Sequence, residues 1–165
     1  MNVIPPVLPS GMVTYCDDVR HETSGKVSLI GIYSGQLIVF GVAPAIIPML
    51  WAVVRWRVPH LTESSSVTFH LTKEKDGDGV SELLGETTVE LPTTEQTLDL
   101  LGMPMEDRSE KIAEVQSQMR ISPLVIEGNC TLRMRVFFQG DEYRIGALQV
   151  SVTQLPDEQS EQSGR

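Results

Sequence analysis

The densest set of chemically capable side chains is Cys16-Asp17-Asp18-Val19-Arg20-His21-Glu22. A thiol, an imidazole and three carboxylates that close together could ligate a metal or carry acid–base or nucleophilic chemistry. Strand geometry argues against this, because alternation sends Cys16 and Asp17 to opposite faces. The cluster reads better as the polar exit of a strand, followed by a turn at Ser24-Gly25. A hydrolase built on Cys16 or His21 is the weakest of three functional readings. Asp76, Asp78 and Asp141 form a second set, which could bind calcium if the loops carrying them met at one end of a sandwich. The helix–loop–helix calcium pattern is absent, since its fifth and twelfth positions hold Val80 and Thr87. Asp-Gly pairs are also what tight turns require. His21, His60 and His70 follow no ligand spacing, and no nucleophile elbow or glycine-rich phosphate loop is present. No cofactor is implied.

The elements that would position these groups read as strands. Leu50, Ala52, Val54, Trp56 and Val58 alternate with Arg55 and Arg57; Val67, Phe69 and Leu71 alternate with threonine and histidine. Cys130, Leu132, Met134, Val136 and Phe138 alternate with Thr131, Arg133 and Arg135. Gly140-Asp141 predicts a two-residue hairpin turn, and the apolar phase of the returning strand slips at Gly146, as at a β-bulge. Further strands are expected at Met12–Val19, Val27–Tyr33, Leu37–Phe40, Leu84–Leu91 and Met119–Ile126. One short helix is expected near Arg108–Gln118, where Ile112, Val115 and Met119 recur at helical spacing after Asp107 and Glu110. The fold class is therefore mainly β, an antiparallel β-sandwich of about eight strands with one short helix in a long connection. Residues 1–155 form a single domain, and 156–165 read as a disordered polar tail.

Val27 to Val54 carries no charged residue. That is long enough for a membrane helix, which needs about 20 apolar residues. Ser34-Gly35-Gln36, Gly41, Pro44 and Pro48 interrupt it, so the run reads instead as the middle of a buried β core. The first nine residues lack a basic start and hold three prolines, unlike a secretory signal. No membrane association and a cytoplasmic location are expected. The balance of 13 basic and 22 acidic residues, net −9, disfavours nucleic acid. Cys16 and Cys130 belong to no C-x-x-C pair and read as buried thiols. Asn129-Cys130-Thr131 matches a glycosylation acceptor by chance.

Two features suit binding. Gly41 to Pro48 is an apolar loop, with Val42, Ala43, Ile46 and Ile47 as candidate partner contacts if it is exposed, or a core plug if it is not. Trp51, on the far face of its strand with Arg55 and Arg57, is a further candidate contact, unless the expected helix covers it.

Tyr15-Cys16-Asp17-Asp18-Val19-Arg20 followed by Gly25-Lys26-Val27-Ser28-Leu29-Ile30-Gly31-Ile32-Tyr33 resembles an uncharacterised bacterial family of small β-rich proteins, a domain of unknown function. Ala45 to Trp56 and Gly128 to Val150 are similar to it as well. The resemblance implies a small bacterial or phage-borne domain and carries no site residue. The first expectation is thus a non-enzymatic sandwich that works through protein–protein contacts, with a protein partner or a second copy, as a subunit of a larger assembly. The alternative is a sandwich that binds calcium or carbohydrate through its end loops.

Overall fold

The computed structural model describes residues 8–58, 61–77, 79–100, 102 and 113–154. Its strands are β1 (Ser10–His21), β2 (Val27–Ile32), β3 (Gln36–Phe40), β4 (Ala45–Ile47), β5 (Leu50–Val58), β6 (Ser65–Lys75), β7 (Ser81–Leu91), β8 (Ala113–Ile121), β9 (Leu124–Ile126), β10 (Cys130–Phe138) and β11 (Asp141–Thr153). Among the described residues a single helix, α1 (Thr94–Leu100), lies between β7 and β8. One sheet has the order β2-β1-β5-β8, a second β3-β11-β10-β6-β7, and β4 pairs with β9 alone. All pairings are antiparallel except that of β3 with β11.

The strands form where alternation is cleanest. Leu50, Ala52, Val54, Trp56 and Val58 face inward from β5 and meet Cys130, Leu132, Met134, Val136 and Phe138 of β10 in one core. Each strand is amphipathic with period two, so only a second sheet can cover its apolar face. Trp56 packs edge-on against Phe138 and Tyr143, with ring centroids 6.3 and 5.0 Å away. The slip expected at Gly146 is present: Met134 pairs with Gly146 and Arg135 with Arg144, leaving Ile145 as the extra residue. A Cβ on Gly146 would stand 2.6 Å from Val13 Cγ1, so the bulge also lets β1 approach β11. The hairpin turn is Gln139-Gly140, both at positive φ, because Phe138 already pairs with Asp141.

The expected helix near Arg108–Gln118 is replaced by strand β8 over its described part, from Ala113 onward. Ser117 and Met119 are buried there by pairing with Val54 and Ala52 of β5. A central strand thus overrides a weak helical spacing. The helix sits earlier and starts at a reciprocal cap: Thr93 Oγ1 accepts from Gln96 N–H at 3.1 Å, and Gln96 Oε1 accepts from Thr93 N–H at 3.0 Å. Thr-x-x-Gln at Thr93–Gln96 was the legible signal for this helix. Residues 103–112 lie outside the described set, as do His60, Asp78 and the tail expected at 156–165.

Candidate functional site: one uncharged flank

The uncharged run lies only partly in the core: Ile47, Leu50, Ala52 and Val54 are buried there, and Leu37 and Val39 pack against it. Only β5 within it is a central strand; β2 ends one main sheet and β3 ends the other. Ile30, Ile32, Ile38, Phe40, Val42 and Ile46 all belong to this run and are exposed, Phe40 by 61% and Val42 by 71%. The expectation of burial fails because an uncharged edge strand and an uncharged central strand look alike in sequence.

The C-terminal end of β2 and the free edge of β3 lie on the same side of the sandwich. The chain passes from β2 to β3 through Tyr33-Ser34-Gly35, anchored by Tyr33 N–H to Tyr15 C=O at 2.9 Å and Gln149 N–H to Gly35 C=O at 2.9 Å. β1 lies over β11 in the next layer, and β7 lies against β8 on the opposite flank. That opposite flank is guarded by charge, with Glu82, Glu86 and Glu90 on β7 and Glu114 and Arg120 on β8. Charged edges resist pairing with other strands. The β3 edge has no such guard, whereas Ile30 on β2 faces Asp18 of β1, which is bridged to Arg20.

The edge of β3 is also open in its backbone. Its ladder to β11 runs from Gly35 C=O to Gly41 N–H, which bonds Thr153 C=O at 3.0 Å. Alternate residues of a strand aim their N–H and C=O groups to opposite sides. Leu37 and Val39 therefore serve β11, while Gln36, Ile38 and Phe40 aim theirs outward. Among the described residues no strand pairs with them. In the loop that follows, Val42, Ala43 and Pro44 are exposed; Ile46 (65% exposed) sits opposite Val125 (41% exposed) across β4 and β9, where Val125 C=O accepts from Lys73 Nζ at 3.3 Å. Ile47 is a correction to the candidate set, because β4 pairing turns it inward to the core at 8% exposure.

Trp51 is half-buried and covered, though not by a helix. It packs with Cys16, Val19, Val27, Leu29 and Val53 in a small cluster on the outer face of the β2-β1-β5-β8 sheet. The end of the β1–β2 hairpin makes this cover. Thr14 pairs with Val53, which pairs with Gln118, so on a straight strand His21 would lie roughly 20 Å beyond that row. Yet His21 Nε2 is 3.1 Å from Gln118 Oε1. β1 must therefore fold back over the sheet face. The bend falls at Asp17, opposite Gly31, whose φ is +66° and where a Cβ would stand 2.0 Å from Asp17 Oδ2.

This folding disposes of the densest polar cluster. Burial pushes the Cys16 thiol up, and the charges of Asp17 and Asp18 add to that. A thiol that is sealed and raised is a poor nucleophile. Asp17 accepts a hydrogen bond from Tyr33 Oη, and Glu22 accepts one from Ser28 Oγ. The Tyr33 hydroxyl is pushed up to about 12 by burial and by that carboxylate. Asp76 and Asp141 do not meet: Asp76 follows Lys75, which pairs with Cys130, while Asp141 pairs with Phe138 at the other end of β10. Among the described residues no three His, Cys, Asp or Glu side chains form a group that could hold a metal ion. Asn129 is occupied structurally, its Oδ1 accepting from Val152 N–H at 3.0 Å.

The outer face of the second sheet is an ion-pair ladder. Glu74 accepts from Arg135 at 2.7 Å and from Arg133 at 3.1 Å, and its carboxyl is lowered, first by the Arg135 bond. His70 lies against Phe137 with the rings tilted by 55° and reaches Glu86 at 2.9 Å. These charges satisfy one another and read as a solvated face. No helix among the described residues is long and apolar enough to cross a membrane. No family model matches the chain and no curated protein matches it significantly.

Proposed function

We propose that this protein is a non-enzymatic β-sandwich that works through protein–protein contacts, and that the contact surface is the flank of β2, β3 and residues 42–46. The observation that carries the reading is that β3 and the loop after it expose Ile38, Phe40 and Val42 on a stretch without charge of its own, in a chain of net −9. Contiguous exposed apolar surface on a folded domain marks an interaction site more often than decoration. An open, unguarded strand edge adds backbone hydrogen-bonding capacity to that surface. The resemblance to a bacterial family of small β-rich domains suits a subunit of a bacterial or phage assembly. The calcium form of the end-loop alternative is disfavoured, because Asp76 and Asp141 lie at opposite ends of a sheet.

The test is cross-linking with mass-spectrometric mapping, using a photoreactive residue at Val42 or Phe40 and a control at Val80 on the β6–β7 turn. Protein cross-links should form from the flank and not from Val80. Phe40→Glu with Ile46→Glu should remove the association without altering the circular dichroism spectrum. Association of unchanged strength in that double variant, or cross-links confined to the Val80 end, sinks the reading.

A further inference from the structure

We infer that the edge of β3 pairs with the same strand of a second copy, antiparallel across a two-fold axis at Ile38. This rests on the contact reading above and names the partner. Three observations converge on it.

The first is electrostatic. Two copies of a −9 chain repel, and the penalty is least where neither surface carries charge. Among the four ends of the two main sheets, β2 and β3 are uncharged, whereas β7 and β8 carry charged side chains.

The second is the backbone. The outward N–H and C=O groups belong to Gln36, Ile38 and Phe40. In an antiparallel pair centred on Ile38, Ile38 faces Ile38 of the second copy, and Gln36 faces its Phe40. Each of these facing residues offers both groups, so every unpaired donor and acceptor on the edge finds a partner. A register shifted by one residue would set Leu37 or Val39, already bonded to β11, against the free groups.

The third is side-chain alternation. The symmetric register keeps Ile38 and Phe40 of both copies on one outer face, and keeps Leu37 and Val39 on the core side. The two five-stranded sheets then join into one continuous sheet. β2 ends at exposed Ile32, shortly before the β3 ladder begins at Gly35.

The size of the seam sets its strength. A five-residue strand is roughly 17 Å long, and two stacked sheets are about 10 Å apart, so the strip between the layers offers roughly 170 Å² per copy. A stable interface takes about 800 Å² per partner. The association is therefore weak and reversible.

The experiment is sedimentation velocity from about 1 to 200 μM on the full chain, with thiol cross-linking of single-cysteine additions. The wild type should shift from 18.3 kDa to twice that mass as concentration rises. Ile38→Lys, at an exposed position, should keep the fold and weaken association on the order of a hundredfold, by losing an apolar contact from each copy. Ile38→Cys should give a covalent dimer with a short bis-maleimide, and Val80→Cys should not. Cys16 and Cys130 are buried and do not compete. A wild type that stays monomeric throughout overturns the self-pairing and leaves the contact reading to the cross-linking test above. A dimer that persists in Ile38→Lys, or that cross-links through Val80→Cys instead of Ile38→Cys, also overturns it.

Discussion

Ile46 and Ile47 are adjacent in sequence and opposite in fate, and truncating each to alanine separates surface from core. Ile47 is 8% exposed and belongs to the same core as Leu50, Leu124 and Ile126. Ile→Ala deletes three carbons, worth about 0.8 kcal/mol each when buried, so the transfer loss is about 2.4 kcal/mol. A cavity adds to this, but β4 and β9 form a small two-stranded sheet at the core margin that can partly collapse. We expect about 2–3 kcal/mol for Ile47→Ala, near the lower end of such substitutions. For a domain of this size each kcal/mol moves the melting temperature by about 2–4 °C, giving a drop of about 5–10 °C. Ile46 is 65% exposed, so only about a third of its transfer term is at stake, under about 1 kcal/mol. Its melting temperature should move by about 3 °C or less. Thermal unfolding followed by circular dichroism, with urea midpoints as a second measure, checks both. Ile46→Ala should instead weaken association through the flank. Equal shifts for the two variants, or a larger one for Ile46→Ala, would show that β4 does not set the inside and outside of this loop.

The hairpin fold-back predicts that Cys16 and Cys130 both resist thiol labelling in the native protein, and that Val19→Ser accelerates labelling of Cys16 about tenfold while leaving Cys130 protected; equal acceleration at both would indicate global unfolding instead. Gly31→Ala should cost about 1–3 kcal/mol, because alanine resists a φ of +66° and its Cβ meets Asp17, and a neutral result in urea denaturation would contradict the bend. Glu74→Gln should cost about 1 kcal/mol at pH 7 by leaving Arg133 and Arg135 without their shared carboxylate. Since the Glu74 carboxyl is lowered in the folded state, its contribution is present above the ordinary glutamate range and lost as pH falls through the lowered folded value. The stability gap between wild type and Glu74→Gln should therefore close below about pH 4, and a gap that widens with acid would refute the assignment.

Local pattern sufficed for much of the architecture. The inward rows of β5, β6 and β10, the bulge at Gly146 and the two-sheet packing follow from period-two alternation, which is written into neighbouring residues. The Thr93–Gln96 cap is equally local, and finding it would have placed the helix correctly. The rest depended on which strand lies beside which. The sequence from Val27 to Val54 reads as uniformly apolar, yet pairing leaves β2 and β3 with one neighbour each and gives β5 two. Ile38 and Phe40 lie on an outer face that no described element covers, whereas Trp51 and Val53, on the outer face of β5, lie under the end of the β1–β2 hairpin. Likewise, Asp76 and Asp141 share a residue type, and only the antiparallel course of β6 and β10 sends them to opposite ends. Side-chain alternation is a property of one strand, whereas edge, centre and proximity are properties of its neighbours, and those exist only once the chain has folded.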